Sequence, residues 1–118
     1  MNSVSIQKRV YVPNPAKFWS KRDEGVNRFF AYILRLESGE LYVGHTRELQ
    51  ERMLEHRDGI IASTAGKNPK LQYFEILSTR DSAMLREHEI KKILKSNRRE
   101  IYRMISDFRE LISEVDQS

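Results

Sequence analysis

Residues 29–56 read FFAYILRLESGELYVGHTRELQERMLEH, and how this stretch folds onto itself decides the architecture. Phe29 to Leu36 is aromatic or aliphatic apart from Arg35, and Leu41 to His45 follows as a second short run. Glu37-Ser38-Gly39 between them is a turn signal. A three-residue hairpin loop goes left-handed at its last position, which Gly39 supplies. That register sets Tyr32 opposite Gly44 and Leu34 opposite Tyr42. Tyr32 and Tyr42 then share one face of the ribbon on neighbouring strands. A two-residue loop would send them to opposite faces, because a slip of one residue turns every side chain over.

A helix follows directly. Thr46 is the expected N-cap, Glu48 suits the first turn, and Asp58-Gly59 ends it. Leu49, Arg52, Met53 and His56 recur at helical spacing as one stripe. Arg52 either faces inward with His56 or flanks the stripe, its stem covering apolar surface. Gly59 to Pro69 (GIIASTAGKNP) reads as a surface loop. Its Ser63, Thr64, Gly66 and Lys67 lack the spacing of a Walker phosphate loop. Leu71 to Leu77 is a third strand, and a second helix spans Asp81 to Lys95, starting near Thr79. Its inward stripe is Ala83, Ile90 and Leu94, with Glu87 in the middle. A carboxylate so placed is rarely unpaired, so Arg52, another cation or a metal is expected beside it. Asn97 and Glu100 form a capping pattern that opens a third helix. Its stripe of Ile101, Met104, Ile105, Phe108, Leu111, Ile112 and Val115 suits packing on the sheet or on the neighbouring helices.

The 118 residues suit a single domain, with 32% charged residues and a net charge of +4. The pI of about 9.5 suits a polyanionic partner. The absence of cysteine excludes disulfides, thiolate–zinc sites and thiol nucleophiles. No apolar run approaches the roughly 18 residues of a membrane span, and the first residues lack a signal-peptide core, so a soluble, cytoplasmic protein is expected. Residues 1–28 form a distinct extension that mixes Lys8, Arg9, Lys17, Lys21 and Arg22 with Tyr11, Phe18 and Trp19. It reads either as an arm along nucleic acid or as a segment packed on the domain surface. Residues 29–97 would be the core and 98–118 a helix packed on it.

At Ala31-Tyr32 and Tyr42-Val43-Gly44 the chain resembles the GIY-YIG nuclease family, with Phe30 where the family name has its first Gly. Arg52 falls where the family has its arginine, His56 where many members have a histidine, and Glu87 where they have the metal-binding glutamate. The run Arg86-Glu87-x-x-Ile90-Lys91 is also family-like, and the resemblance spans about Phe29 to Asn97. It implies an α/β domain with a three-stranded sheet, mixed or antiparallel, flanked by three or more helices. It further implies hydrolysis of a DNA phosphodiester with one divalent metal, Mg²⁺ or Mn²⁺, in repair, recombination or restriction. Glu87 would hold the metal and Arg52 would grip a phosphate oxygen. Tyr32 would be the general base, its phenol pKa lowered by nearby cations, with Gly44 leaving room for phosphate and water. Tyr42 would support Tyr32 or bind phosphate. Arg47 and Lys67 would contact the DNA backbone. His45 departs from the motif and reads as either catalytic or structural, facing away from Tyr32. Asn97 is a candidate for the last motif position, although capping explains it as well.

A non-cleaving nucleic-acid-binding module on the same fold is the alternative, since fold does not fix function. No added recognition domain is evident, so strong sequence specificity is not expected; a protein partner or a homodimer could supply it.

Overall fold

The computed structural model describes residues 28–117. The N-terminal extension expected over 1–28 lies almost wholly outside them. In chain order the elements are β1 (Phe29–Arg35), β2 (Leu41–Thr46), α1 (Leu49–Arg57), β3 (Lys70–Leu77), α2 (Arg80–Ser96) and α3 (Arg98–Gln117). The strands form one sheet in the order β2-β1-β3, antiparallel throughout. Of the two sheet types left open, the hairpin and the return of β3 select the antiparallel one.

The β1–β2 ribbon has the register that Gly39 demands. Tyr32 pairs with Gly44 and Leu34 with Tyr42, and Gly39 sits at φ 94°. Leu36 N–H donates to the Glu40 carbonyl at 2.8 Å, which closes the three-residue loop. Alternation along β1 then divides the core in two. Phe30, Tyr32 and Leu34 pack with Leu49 and Met53 of α1 on one face. Ala31 and Ile33 pack with Val43, Ile90 of α2 and Ile101 and Ile105 of α3 on the other. Each fully buried aliphatic side chain contributes about 1.5–3 kcal/mol. Phe108 of α3 meets both Tyr73 (5.2 Å) and Phe74 (5.0 Å), whose side chains leave β3 on opposite faces, so α3 closes the sheet at the β3 edge. The β2 edge is where the site lies.

Helix starts follow local chemistry, with one correction. The N-cap of α1 is Glu48, not Thr46. Thr46 instead folds its hydroxyl back to accept from the Glu48 N–H at 3.1 Å, a local turn that delays the helix by two residues. Thr79 caps α2 through a reciprocal box with Ser82. Asn97 ends α2, and its side chain accepts from the Glu100 N–H at 3.3 Å. Among the described residues, no helix is long and apolar enough to cross a membrane.

Candidate functional site

Around the β2 edge lies an open cavity of about 610 Å³. Tyr32 and Tyr42 enter it from the α1 face of the ribbon, His45 from the α2 face, Arg52 from α1 and Glu87 from α2. Residues from both faces meet because β2 is an edge strand and Gly44 leaves a gap between them.

That gap belongs to Tyr32. A Cβ on Gly44 would stand 2.6 Å from the Tyr32 hydroxyl oxygen and 2.7 Å from Cζ. The space expected for phosphate and water beside Gly44 is therefore filled by the phenol itself. Tyr32 is only 2% exposed. Its hydroxyl lies 2.9 Å from His56 Nε2, and His56 Nδ1 lies 2.7 Å from Thr64 Oγ1. The arrangement that satisfies every atom has Tyr32 O–H donating to Nε2 and Nδ1–H donating to Thr64. The Thr64 hydroxyl then turns to the Ile61 carbonyl at 3.5 Å. No buried side-chain polar atom among the described residues lacks a partner.

This chain of groups corrects the expected electrostatics. Burial first, then Tyr42, pushes the Tyr32 phenol well above its ordinary range, and the pull of Arg52 does not offset it. Burial, reinforced by Arg52, brings His56 down to about 4. At neutral pH the pair is a phenol against a neutral imidazole, not a phenolate. Tyr42 packs edge-on to His56 at 5.3 Å and lies tilted against Tyr32 at 6.4 Å.

Glu87 is paired, as an inward carboxylate requires, but not with Arg52. His45 Nδ1–H donates to its Oε1 at 2.6 Å, and Lys91 Nζ donates to Oε2 at 2.6 Å. Burial raises the Glu87 pKa, but the hydrogen bonds from His45 and Lys91 outweigh it and hold the group below its ordinary value. His45 does project away from Tyr32, onto the α2 face, and that direction delivers it to Glu87. Arg52 is half-exposed and rests on Glu55 at 3.3 Å, so the flanking position describes it better than the inward one.

The remaining candidates lie further out. Arg47 stacks on Phe29 at 5.6 Å, beside Arg80 on the same ring at 5.4 Å. Both arginines line a smaller depression, of about 280 Å³, that shares His45 and Arg52 with the main cavity. Lys67 sits apart, against the β1–β2 turn, where its carbonyl accepts from the Glu37 N–H at 2.8 Å. Asn97 is exposed and does not line the cavity.

Two residues named in the sequence take roles that the sequence did not assign, Thr64 as the partner of His56 and Lys91 as a partner of Glu87. Thr64 is fully buried in a stretch read as surface loop, and nothing in its neighbours announces that. Lys91 had a signal, since a lysine four residues after a helical glutamate is a favoured pair.

A family model described as the GIY-YIG catalytic domain matches residues 28–100. A UPF0213 protein of Haloquadratum walsbyi is 35% identical over 74 residues, covering 61% of this chain and 83% of its own length. A UPF0213 protein of Bacillus licheniformis is 36% identical over 74 residues, covering 61% and 76%. One of Clostridium perfringens is 37% identical over 71 residues, covering 58% and 76%. No solved structure gives a significant match.

Proposed function

Because the chain belongs to the GIY-YIG catalytic-domain family, we propose that it is a metal-dependent endonuclease hydrolysing DNA phosphodiester bonds. The observation that carries this reading is the meeting of Tyr32, Tyr42, Arg52 and Glu87, from four different elements, around one open cavity.

The donor set fits a hard cation. Among the described residues no group of three His, Asp or Glu side chains is placed to hold a metal, so a site built wholly of protein ligands does not fit. A single partly buried carboxylate suits Mg²⁺ or Mn²⁺, ions that keep several waters and take one or two carboxylates. When bound at Glu87, the ion would stabilise charge on the scissile phosphate and the leaving oxygen. Arg52, with its planar fork free to leave Glu55, would grip a non-bridging oxygen.

Proton transfer falls to Tyr32 and His56. The water oxygen bonds to phosphorus as the bond to the leaving sugar oxygen breaks. The water's proton passes to the Tyr32 oxygen while the Tyr32 proton passes to His56 Nε2, so no free phenolate forms. A phosphate on Arg52 would cancel a charge that holds the His56 pKa down. The imidazole then becomes a better acceptor when substrate is present.

The test is nicking of supercoiled plasmid with Mg²⁺ or Mn²⁺, with and without chelator. Metal-dependent nicking is expected, and Glu87→Ala should lose at least about a hundredfold, the scale of a single electrostatic stabiliser. DNA binding without nicking under any metal would favour the non-cleaving module.

A further inference from the structure

The scissile-bond chemistry leaves unused a row of cations on α2. From Glu87 the helix presents Lys91 and then Lys95 at intervals of four residues, and all three line the same cavity, with Leu94 between them. Four helical residues rise about 6 Å, close to the separation of successive phosphates along one nucleic-acid strand. The Lys91 ammonium stands 2.6 Å from Glu87 with half its side chain exposed. An ammonium has three donors, so Lys91 can hold Glu87 and a phosphate oxygen together. Lys95 makes no ion pair with any described residue. The row stops with the helix: α2 ends at Ser96, and Arg98, the first residue of α3, is turned onto Tyr102, 5.6 Å over its ring and 3.3 Å from its hydroxyl.

Lysines near a helix C-terminus also suit the helix dipole. That effect alone would not choose a face. Lys92 is as close to the end as Lys91, is exposed, and does not line the cavity.

We propose that Lys91 and Lys95 form a phosphate track. The substrate is one strand of nucleic acid laid along α2, with the cleaved phosphate at Glu87 and Lys91 and the next phosphate on Lys95. This inference rests on the nuclease reading and adds a direction and a length to it. Backbone contacts extend to one side of the cleaved bond, and a bond near the strand end on that side is a poor substrate.

The experiment compares wild type, Lys91→Ala, Lys95→Ala and Lys92→Ala, which differ equally in charge from wild type. Each is titrated with a short labelled oligonucleotide, single-stranded and as a duplex, in chelator over a range of salt. Lys91→Ala and Lys95→Ala should each flatten the dependence of log affinity on log salt by about one, as loss of one phosphate contact does. Lys92→Ala should leave it unchanged. Since Lys91 also neutralises Glu87, Lys95 carries the decision. Equal effects in all three variants would show a diffuse field and overturn the track, as would no effect at Lys95. If wild type shows no salt-dependent binding to either oligonucleotide, the nuclease reading falls with it. If wild type binds and nicks plasmid while Lys95→Ala matches it, only the track falls. A second readout replaces single phosphates around the cleaved bond with uncharged methylphosphonates. Wild-type cleavage should slow on one side only, and Lys95→Ala should lose that sensitivity at one position. Equal sensitivity on both sides overturns the proposal.

Discussion

Taking the oxygen from Tyr32 leaves its ring over Gly44 but cuts the link between the cavity and His56. Tyr32→Phe should therefore fold normally and lose about a hundredfold to ten-thousandfold in plasmid nicking, the contribution of a general base. Tyr42→Phe should retain more activity, because Tyr42 meets His56 through its ring. If Tyr42→Phe is the more damaged variant, the two roles are reversed. His56 makes a separate claim on stability. Its folded pKa of about 4 lies below the ordinary 6.5, so between those values the unfolded chain takes up a proton that the folded chain refuses. Stability is then complete above about pH 6.5 and falls as the pH drops towards 4, by at most about 3–4 kcal/mol at about 1.4 kcal/mol per pH unit. His56→Asn should lose this acid sensitivity, as read by urea unfolding at a series of pH values. An unchanged pH slope would show that His56 protonates as easily folded as unfolded.

Among the elements, α2 has the most to hold in place, since it carries Glu87. Two anchors fix it. The Thr79–Ser82 box closes its first turn, and Arg86 grips Glu75 of β3 through Nε and Nη2, each with a contact of 2.8 Å. Thr79→Ala should cost about 1 kcal/mol, as loss of a cap does. Arg86→Met should cost about 1.5–3 kcal/mol, the range for hydrogen bonds to a charged group. Denaturant titration checks both, and a cost near zero for Arg86→Met would mean that packing alone seats the helix. How much of this was legible in the sequence varied by element. The ribbon register was readable because Gly39 allows one loop length, and that fixed the faces of Tyr32 and Tyr42. The inward direction of Glu87 followed from Ala83 and Ile90 around it. The start of α1 was misjudged because a Thr side chain serves a turn as readily as a cap. Thr64 was hidden because burial of a loop hydroxyl depends on a distant histidine. One partner of Glu87, His45, was hidden because it lies 42 residues away and projects from the face of the ribbon opposite Tyr32.

At the scale of the molecule, β1 is the shared wall of both halves of the core. It is paired on each side and buried on both faces. Its amides should exchange with solvent only through global unfolding, whereas the outer amides of β2 should open locally. Hydrogen exchange followed by mass spectrometry would show the contrast, and equal protection of β1 and β2 would contradict it. Ile101→Ala, which hollows the half of the core on the α3 side, should cost about 2–5 kcal/mol in urea unfolding. The Tyr32–His56 contact lies on the other side of the sheet, so the acid sensitivity described above should survive that change.

The contact between Gly44 and Tyr32 also bears on how such a chain can change over generations. Gly44 does not have the left-handed backbone seen at Gly39, Gly59 and Gly66, so its requirement is one of volume and not of conformation. No other residue fits while a six-membered ring occupies position 32. Once a lineage replaces that ring with something shorter, position 44 is released to drift. The two sites are therefore expected to vary together and not singly. A descendant with a bulkier residue at 44 would reveal, from that position alone, that the tyrosine had already been lost.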